Sequence, residues 1–439
     1  MKPHIILLLI VVSLTFAINA TEDNNLSVSI QNLIDYVNAI DPNQHHTIVY
    51  QSDQYTTLDD RAKREQIGIL RNKINCNQKD AAQTIISYLE KSQYKWESYW
   101  LLEVLADTKD EYALKVFEKY IHNDDEDLRT NALSGLSHFG HPALEILYKY
   151  IEDTNAPNRF RALQSVNDIA ESLQKKNNEI LEEIINSTLY LLKDKDAMVR
   201  YFALHFISLG DNSYTPLLAR GLDDEKNNGE TMVFMEKRND PNAIPYLMGY
   251  LLNNQEQRSL DKQLISRVIG NITKLELPPL EIRYRTRNGP GPEYYVSQDR
   301  QISYIINWWN NKGRENYKNY LLSETKVVQK DIDNRDDYAI KAAQSWFMSL
   351  MRGNTDLTTA LSDVPFSFDL KENVVSLTEL KILYDKIIEQ KGKRDLKPTS
   401  IKIETSSSEK VELILTIEDE KVIVYVTPGI IYQVTGFTD

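Results

Sequence analysis

Apolar positions recur at helical spacing over most of this chain, and between Asp110 and Asp153 one helix is written twice. Ala113-Leu114-Lys115-Val116-Phe117-Glu118-Lys119-Tyr120-Ile121 returns thirty residues on as Ala143-Leu144-Glu145-Ile146-Leu147-Tyr148-Lys149-Tyr150-Ile151. A second pattern, Arg-x-x-Ala-Leu, runs from Arg129 to Leu133, from Arg159 to Leu163 and from Arg200 to Leu204. Its first two copies are again thirty residues apart; the third comes 41 residues later, after the polar segment Gln174 to Asn178 that precedes a helix predicted over Glu179–Leu192. Pro216-Leu217-Leu218 and Pro245-Tyr246-Leu247 repeat the partner helix at 29 residues, and Leu260, Leu264, Val268 and Ile272 close the series. A helical hairpin of this length cannot bury its own apolar stripe, so copies stack and share an elongated core. Alanine in the signature lets two helices approach to about 8–10 Å, and the leucine beside it fills the core.

Both flanks carry other patterns. Leu26–Ile40 and Leu58–Ile74 are helical in spacing and separated by the polar turn Asp41 to Gln44, and two more helical patterns lie between Asp80 and Asp107. Leu277-Pro278-Pro279 stops the series. Glu281 to Tyr295 then alternates around Gly289-Pro290-Gly291-Pro292, which reads as an extended segment feeding a rigid turn. Ile302, Ile305, Ile306 and Trp309 line an amphipathic helix whose Trp308-Trp309 pair suits a terminal cap. Beyond the charged stretch that follows, the period changes. Helical patterns over Ala339–Leu350 and Leu377–Ile388 flank the strand-like Pro365 to Asp369; alternating runs follow at Ile401–Ile403, Val411–Ile417, Val422–Val426 and Ile430–Phe437.

The repeats resemble HEAT repeats and the related phycobilisome-lyase-type HEAT-like repeats over roughly Asp80 to Lys274. The resemblance implies that Arg129, Arg159 and Arg200 are structural, laddered with acids such as Asp127 and Asp196. The last hundred residues, with the Val364-Pro365-Phe366 step after a helix ending in Gly353-Asn354, resemble the nuclear transport factor 2-like fold. The expected fold class is therefore mostly α: a right-handed α-solenoid of HEAT-like hairpins, then a small α+β cone with a curved antiparallel sheet. The expected order is a signal peptide over 1–20, a helical cap over 21–79 and a solenoid over 80–322 with a loop insertion at 281–296. A linker over 323–335 and the α+β domain over 336–439 follow.

A formal charge of −13 argues against sequence-independent nucleic-acid binding, which needs a basic face to displace counterions. Lys2, the apolar run Ile5 to Ile18 and Asn19-Ala20 read as a secretory leader, too short to span a bilayer, so a periplasmic or extracellular destination is expected. Cys76 is the only cysteine, so no intramolecular disulfide forms; burial as a small apolar residue is expected of it.

Chemistry-bearing motifs are sparse. None of the seven histidines lies beyond His205. His138 and His141, like His45 and His46, lack the third and fourth ligands that zinc requires. No phosphate loop, nucleophile elbow or dinucleotide fingerprint is present, and neither a metal nor a cofactor is expected. Arg283, Arg285 and Arg287, with Tyr294 and Tyr295, form the one basic and aromatic patch of an acidic chain and are the candidate binding residues. Trp346, Phe366, Phe368, Asp369, Tyr384 and Tyr432 are the candidate lining of any pocket in the cone, with Asp356, Asp363 and Asp369 as carboxylates able to serve acid–base chemistry. Two functions remain open at this point. One is an exported non-enzymatic scaffold or adaptor holding a protein partner on the solenoid surface. The alternative is a small-ligand binder or acid–base enzyme using the cone, and a cone filled by its own aromatics would favour the scaffold.

Overall fold

The structure is a computed structural model that describes residues 26–40, 58–75, 78–173, 178–254, 262–286, 292–297, 299–318, 320, 335–368, 372–374, 376–407, 410–418, 420–427 and 433–438. The leader, Cys76, His45, His46 and most of the expected linker lie outside them. The chain forms two compact units that divide between Ser187 and Thr188.

In the first unit, α1 (Leu26–Asn38), α2 (Leu58–Asn75), α3 (Gln78–Leu89) and α4 (Lys95–Thr108) lead into the written repeat. There follow α5 (Leu114–Tyr120), α6 (Glu126–Leu136), α7 (Leu144–Glu152), α8 (Arg159–Leu173) and α9 (Asn178–Thr188). Helices α4, α6 and α8 stack in succession, and α3, α5 and α7 pack against them as hairpin partners. The packing pairs each Arg helix with the Ala-Leu helix before it. Corresponding positions of the two copies do the same work: Ala113 and Ala143, Phe117 and Leu147, Ile121 and Ile151 are all buried, as are Ala132-Leu133 and Ala162-Leu163 of the signature. Each copy opens on a 3-10 turn, Glu111–Ala113 or His141–Ala143, before the α-helix proper. The Asp110 carboxylate starts the first of them by accepting the Tyr112 N–H at 3.0 Å.

The period is also visible in polar contacts between neighbouring hairpins. Asn131 Nδ2 donates to the Tyr99 carbonyl at 2.7 Å and Ser165 Oγ to the Leu133 carbonyl at 2.8 Å, each 32 residues away. In the second unit Asn227 Nδ2 reaches the Ala197 carbonyl at 3.1 Å, 30 residues back. One period in sequence is thus one step through space, and each step satisfies a carbonyl that stacking removes from water.

The signature arginines bind main-chain carbonyls, and Asp196 adds an electrostatic contribution at Arg200. Arg129 Nη1 donates to the carbonyls of Asn123 (2.7 Å) and Asp124 (3.3 Å), and Arg200 Nη1 to those of Asp194 (2.7 Å) and Lys195 (3.2 Å). Arg159 Nε donates to the Ile151 carbonyl at 2.7 Å. Arg159 therefore caps the last turn of the preceding helix, where carbonyls lack intrahelical donors, while Arg129 and Arg200 hold the turns that lead into their own helices. Asp127 instead meets Lys95, and Asp196 caps its own helix through the Met198 N–H. The acid that does pair is one hairpin further on: Asp224 takes Arg200 in a two-pronged contact at 2.6 and 3.0 Å. Burial pushes the Asp224 carboxyl up, but hydrogen bonds from Arg200, Asn227 and the Lys226 main chain outweigh it and hold the group below the ordinary carboxylate range. A carboxyl depressed in the folded state stabilises above its unfolded pKa, about 3.9, and loses that contribution as pH falls through the folded value. Denaturation midpoints measured against pH should accordingly drop on acidification below about pH 4, and Asp224→Asn should lower the neutral-pH midpoint while flattening part of that acid dependence.

Lys109 ends α4 in the left-handed region at φ 52°. A side chain there costs roughly 1 kcal/mol that glycine avoids, so Lys109→Gly should raise the midpoint of chemical denaturation by a corresponding amount.

The second unit carries α10 (Ala197–Leu209), α11 (Thr215–Ala219), α12 (Asn228–Arg238), α13 (Ile244–Asn253) and α14 (Lys262–Thr273), with α12 packed against both α10 and α14. Where one extended segment feeding a turn was expected, strands β1 (Glu281–Thr286) and β2 (Pro292–Ser297) pair as an antiparallel hairpin, and α15 (Asp299–Trp308) runs into a π-turn at Trp309–Gly313. Trp309 is fully buried, as expected of a cap. The turn needs a glycine, because a Cβ at Gly313 would lie 2.5 Å from the Trp309 ring.

The C-terminal part of this unit comprises α16 (Arg335–Met351), α17 (Thr355–Ala360), β3 (Ser362–Phe368), β4 (Glu372–Val374), α18 (Leu377–Lys391), β5 (Ser400–Ser406), β6 (Val411–Ile417), β7 (Glu420–Thr427) and β8 (Gln433–Thr438). Stacked HEAT-like hairpins followed by an α+β domain are the expected fold class. The six strands lie in the order β4-β3-β8-β7-β6-β5, antiparallel except for the parallel pair β3–β8. Val411, Leu413, Leu415, Val424 and Val426 are buried on the face that packs against α16, whose Ala339, Ala342, Ala343 and Trp346 meet them. Ser376 caps α18, accepting the Glu379 N–H at 3.2 Å.

Candidate functional site

The patch singled out in the sequence sits on the β1–β2 hairpin. Its register places Arg283 opposite Tyr295, Tyr284 opposite Tyr294 and Arg285 opposite Glu293. Alternate residues of a strand share a face, so Arg283, Arg285, Glu293 and Tyr295 occupy one set of positions and Tyr284 and Tyr294 the other. Tyr294 and Tyr295 therefore take alternate register positions, and Glu293 is the register partner of Arg285. Arg287 lies outside the described residues, as do the side chains of Arg283, Arg285, Tyr294 and Tyr295.

At the foot of this hairpin is a groove of about 550 Å³ that sequence reasoning missed. One wall is α14, with Gln263, Arg267, Gly270 and Asn271, continued by Lys274 just past its end; the other is the segment leaving it, with Leu275, Leu277 and Leu280, closed by Gln301 of α15. Lys274 turns the chain at φ 57°, and the Leu275 N–H returns to the Gly270 carbonyl at 3.1 Å, a helix ending that usually employs glycine. Gly270 lets the exit segment fold back over the helix, since a Cβ there would stand 2.9 Å from Leu277. Gln301 Nε2 ties that segment down by donating to the Pro278 carbonyl at 2.8 Å. Arg267 and Asn271 are both held by Glu236, at 3.1 and 2.5 Å. Three leucines spaced around Pro278-Pro279, past the end of a helix, were the signal available in the sequence.

The interior of the α+β domain is built differently. Trp346 and Tyr384 are buried to within 1% of complete, and their rings meet edge-on with centroids 6.2 Å apart; Phe437 lies 5.2 Å from Trp346. Their polar atoms satisfy one another. Trp346 Nε1 donates to Ser362 Oγ (3.1 Å) and Tyr384 OH (3.2 Å), and Ser362 Oγ and Tyr384 OH lie 2.7 Å apart. Burial pushes the Tyr384 phenol far above its ordinary range, so it stays protonated. Among the described residues from Ala339 onward, the buried polar side chains are Ser345, Ser349, Thr358, Thr359 and Ser362. All are hydroxyls bonded to protein groups.

One cation enters from outside the domain. Arg314, just past the π-turn, is half-buried, and its Nη2 reaches the carbonyls of Ala360 (2.5 Å), Ser362 (2.7 Å) and Thr359 (3.4 Å) at the end of α17. Burial brings its pKa down to about 10, which leaves it charged at neutral pH. One helical turn earlier, Asn310 donates to the Asp356 carbonyl at 2.9 Å.

Of the candidate pocket residues, Trp346 and Tyr384 are thus brought together as packed core. Phe366 and Phe368 contribute described backbone to β3 only, and Asp369 and Tyr432 lie outside the described residues. Asp356 is half-exposed and paired with Lys381 at 2.5 Å, and Asp363 lies at the start of β3. His141 meets Glu183 at 2.9 Å and His138 lies 3.6 Å from Asp107, both partly exposed. Among the described residues, no three His, Cys, Asp or Glu side chains are grouped so as to hold a metal ion, and no helix is long and apolar enough to cross a membrane.

No protein-family model matches this chain, and no curated protein does. Among solved structures it is similar to the complex of CpcE and CpcF of phycocyanin lyase from Nostoc sp. PCC7120, at 16% identity and a TM-score of 0.25, over 54% of this chain and 95% of that one. It is also similar to human deoxyhypusine hydroxylase in complex with glycerol, at 15% identity and a TM-score of 0.23, over 66% of this chain and 94% of that one.

Proposed function

We propose that this chain is an exported, non-enzymatic scaffold that holds a protein partner on the outer surface of its helical hairpins, with the β1–β2 hairpin among the contacts. The observation that carries the reading is the filled interior of the α+β domain, where Trp346, Tyr384 and Phe437 occupy the centre and their polar atoms bond to one another. A ligand or catalytic pocket needs convergent polar groups left for a guest; here the buried hydroxyls serve the fold. Stacked hairpins suit binding because a preformed surface loses little ordering entropy on docking. Residues 336–439 are read as a nuclear transport factor 2-like domain, a reading supported by the helix, strand, helix and strand-run order and by the sheet packed on α16. The expected division into leader, cap, solenoid, linker and terminal domain belongs to the same proposal, as does a periplasmic or extracellular location.

The test is affinity purification of the mature chain from its own compartment followed by mass spectrometry, beside the triple variant Arg283→Ala, Arg285→Ala, Arg287→Ala. A protein partner enriched by the parent chain is the expected result, with the triple variant losing it at an unchanged thermal midpoint. A small molecule released on denaturation, with no protein enriched, would overturn the scaffold reading; undiminished capture by the triple variant would remove the hairpin from it.

A further inference from the structure

We infer that the groove between α14 and its exit segment takes a short stretch of a partner polypeptide in which carboxylates stand beside large apolar side chains. The inference rests on the scaffold reading and gives it a place and a chemistry. Its volume, about 550 Å³, lies within the usual range for a binding cleft and holds a few side chains rather than a domain. The floor is apolar: Leu275, Leu277 and Leu280 line it, and Leu280 is 42% exposed, so burying it under a guest's apolar side chain would contribute to affinity. The shape is preformed. Two consecutive prolines stiffen the exit segment, Gln301 pins the Pro278 carbonyl, and Leu277 rests on Gly270, so docking orders little that is not already ordered.

Charge decides the occupant. Arg267 of α14 and Lys274, just past the end of that helix, both line the groove. Arg267 is matched by Glu236 on a neighbouring helix. Lys274 has no ion pair or hydrogen bond among the described residues, in a chain whose formal charge is −13. A cation held beside three leucines in an acidic molecule selects a carboxylate next to an apolar anchor, while the surrounding negative charge repels acidic polymers that bring no anchor. Because Lys274 is exposed, its contribution is to selectivity and association rate, and the leucines supply most of the affinity.

The experiment uses the full chain and a fluorescein-labelled hexapeptide of alternating aspartate and leucine, read by fluorescence anisotropy. Two control peptides replace aspartate with asparagine or leucine with serine. The expected result is binding about tenfold tighter for the aspartate–leucine peptide than for either control, weakened about tenfold by Lys274→Glu and again by Leu280→Asp, and weakened by added salt. Circular dichroism melting of both variants confirms that folding is retained, and Leu280→Ala serves if Leu280→Asp melts early. Equal binding by the parent chain and Lys274→Glu overturns the proposal, as does preference for the serine control or absence of peptide binding. Concentration-dependent self-association abolished by Lys274→Glu, without peptide binding, also overturns it in favour of a second copy as occupant. Capture of a native partner that Lys274→Glu and Leu280→Asp leave undiminished overturns the groove while the scaffold reading stands; failure to capture any partner overturns the scaffold reading itself.

Discussion

Arg314→Ala should be among the most damaging single substitutions in the second unit, lowering the stability measured by chemical denaturation by about 3 kcal/mol. The side chain is half-buried and supplies donors to the carbonyls of Thr359, Ala360 and Ser362, at the end of α17 and the start of β3. Removing it leaves these acceptors in a site from which water has been displaced, and leaves a void. Relief from burying a charge offsets part of the loss, which is why the figure is smaller than three unsatisfied carbonyls would imply. Lysine at the same position keeps the charge but lacks the planar fork, so Arg314→Lys should fall between the parent and the alanine variant. An unchanged midpoint in Arg314→Ala would show that α17 does not depend on this cap.

Trp346→Ala should cost about 3–5 kcal/mol, the range for truncating a fully buried large aromatic. Trp346 joins three elements of the α+β domain: its ring touches Tyr384 of α18 and Phe437 of β8, and its N–H reaches Ser362 of β3. The loss should register by near-ultraviolet circular dichroism as a lower denaturation midpoint. The milder Trp346→Phe keeps the ring and deletes the hydrogen bonds to Ser362 and Tyr384, and should cost about 1–3 kcal/mol. Both outcomes separate a filled core from a cleft. If Trp346 lined an open pocket, its truncation would leave stability nearly intact and create a larger cavity.

Together these two sites describe how the second unit holds together. Arg314 and Asn310 project from the helix after the π-turn into α17, and Ser345 of α16 donates to the Asn253 carbonyl of α13 at 3.3 Å. The hairpins and the α+β domain are therefore joined by buried side-chain-to-carbonyl bonds, which hold only when both sides are folded. Partner binding on the hairpins of this unit would take place on a body already rigid at its C-terminal end.

Much of this architecture was legible in the primary structure because stacked hairpins write their own period. The buried pairs Phe117 and Leu147, Ile121 and Ile151 fall thirty residues apart because each fills the same place in successive copies. Period-two alternation likewise announced β6, whose Val411, Leu413 and Leu415 are all buried. Strand direction leaves no trace in alternation, so the parallel pairing of β3 with β8 was beyond reach. The ion pairs also came out differently. Asp127 and Asp196 are neighbours of the signature arginines in sequence, but Arg129 and Arg200 reach main-chain carbonyls of the turns before their helices, and the carboxylate that grips Arg200 from two sides, Asp224, sits 24 residues from it.

The sequence by itself determined that this is a stack of helical hairpins ending in an α+β domain, because periodic burial is imposed residue by residue and needs no knowledge of distant partners. Only the tertiary structure decided that Arg314 would cap α17, that Trp346 and Tyr384 would close the domain interior on themselves, and that Lys274 would stand beside Leu280 at the rim of a groove. Each of these depends on bringing together groups remote along the chain, or on the angle at which the backbone turns past a helix end. Neither quantity is carried by composition or period.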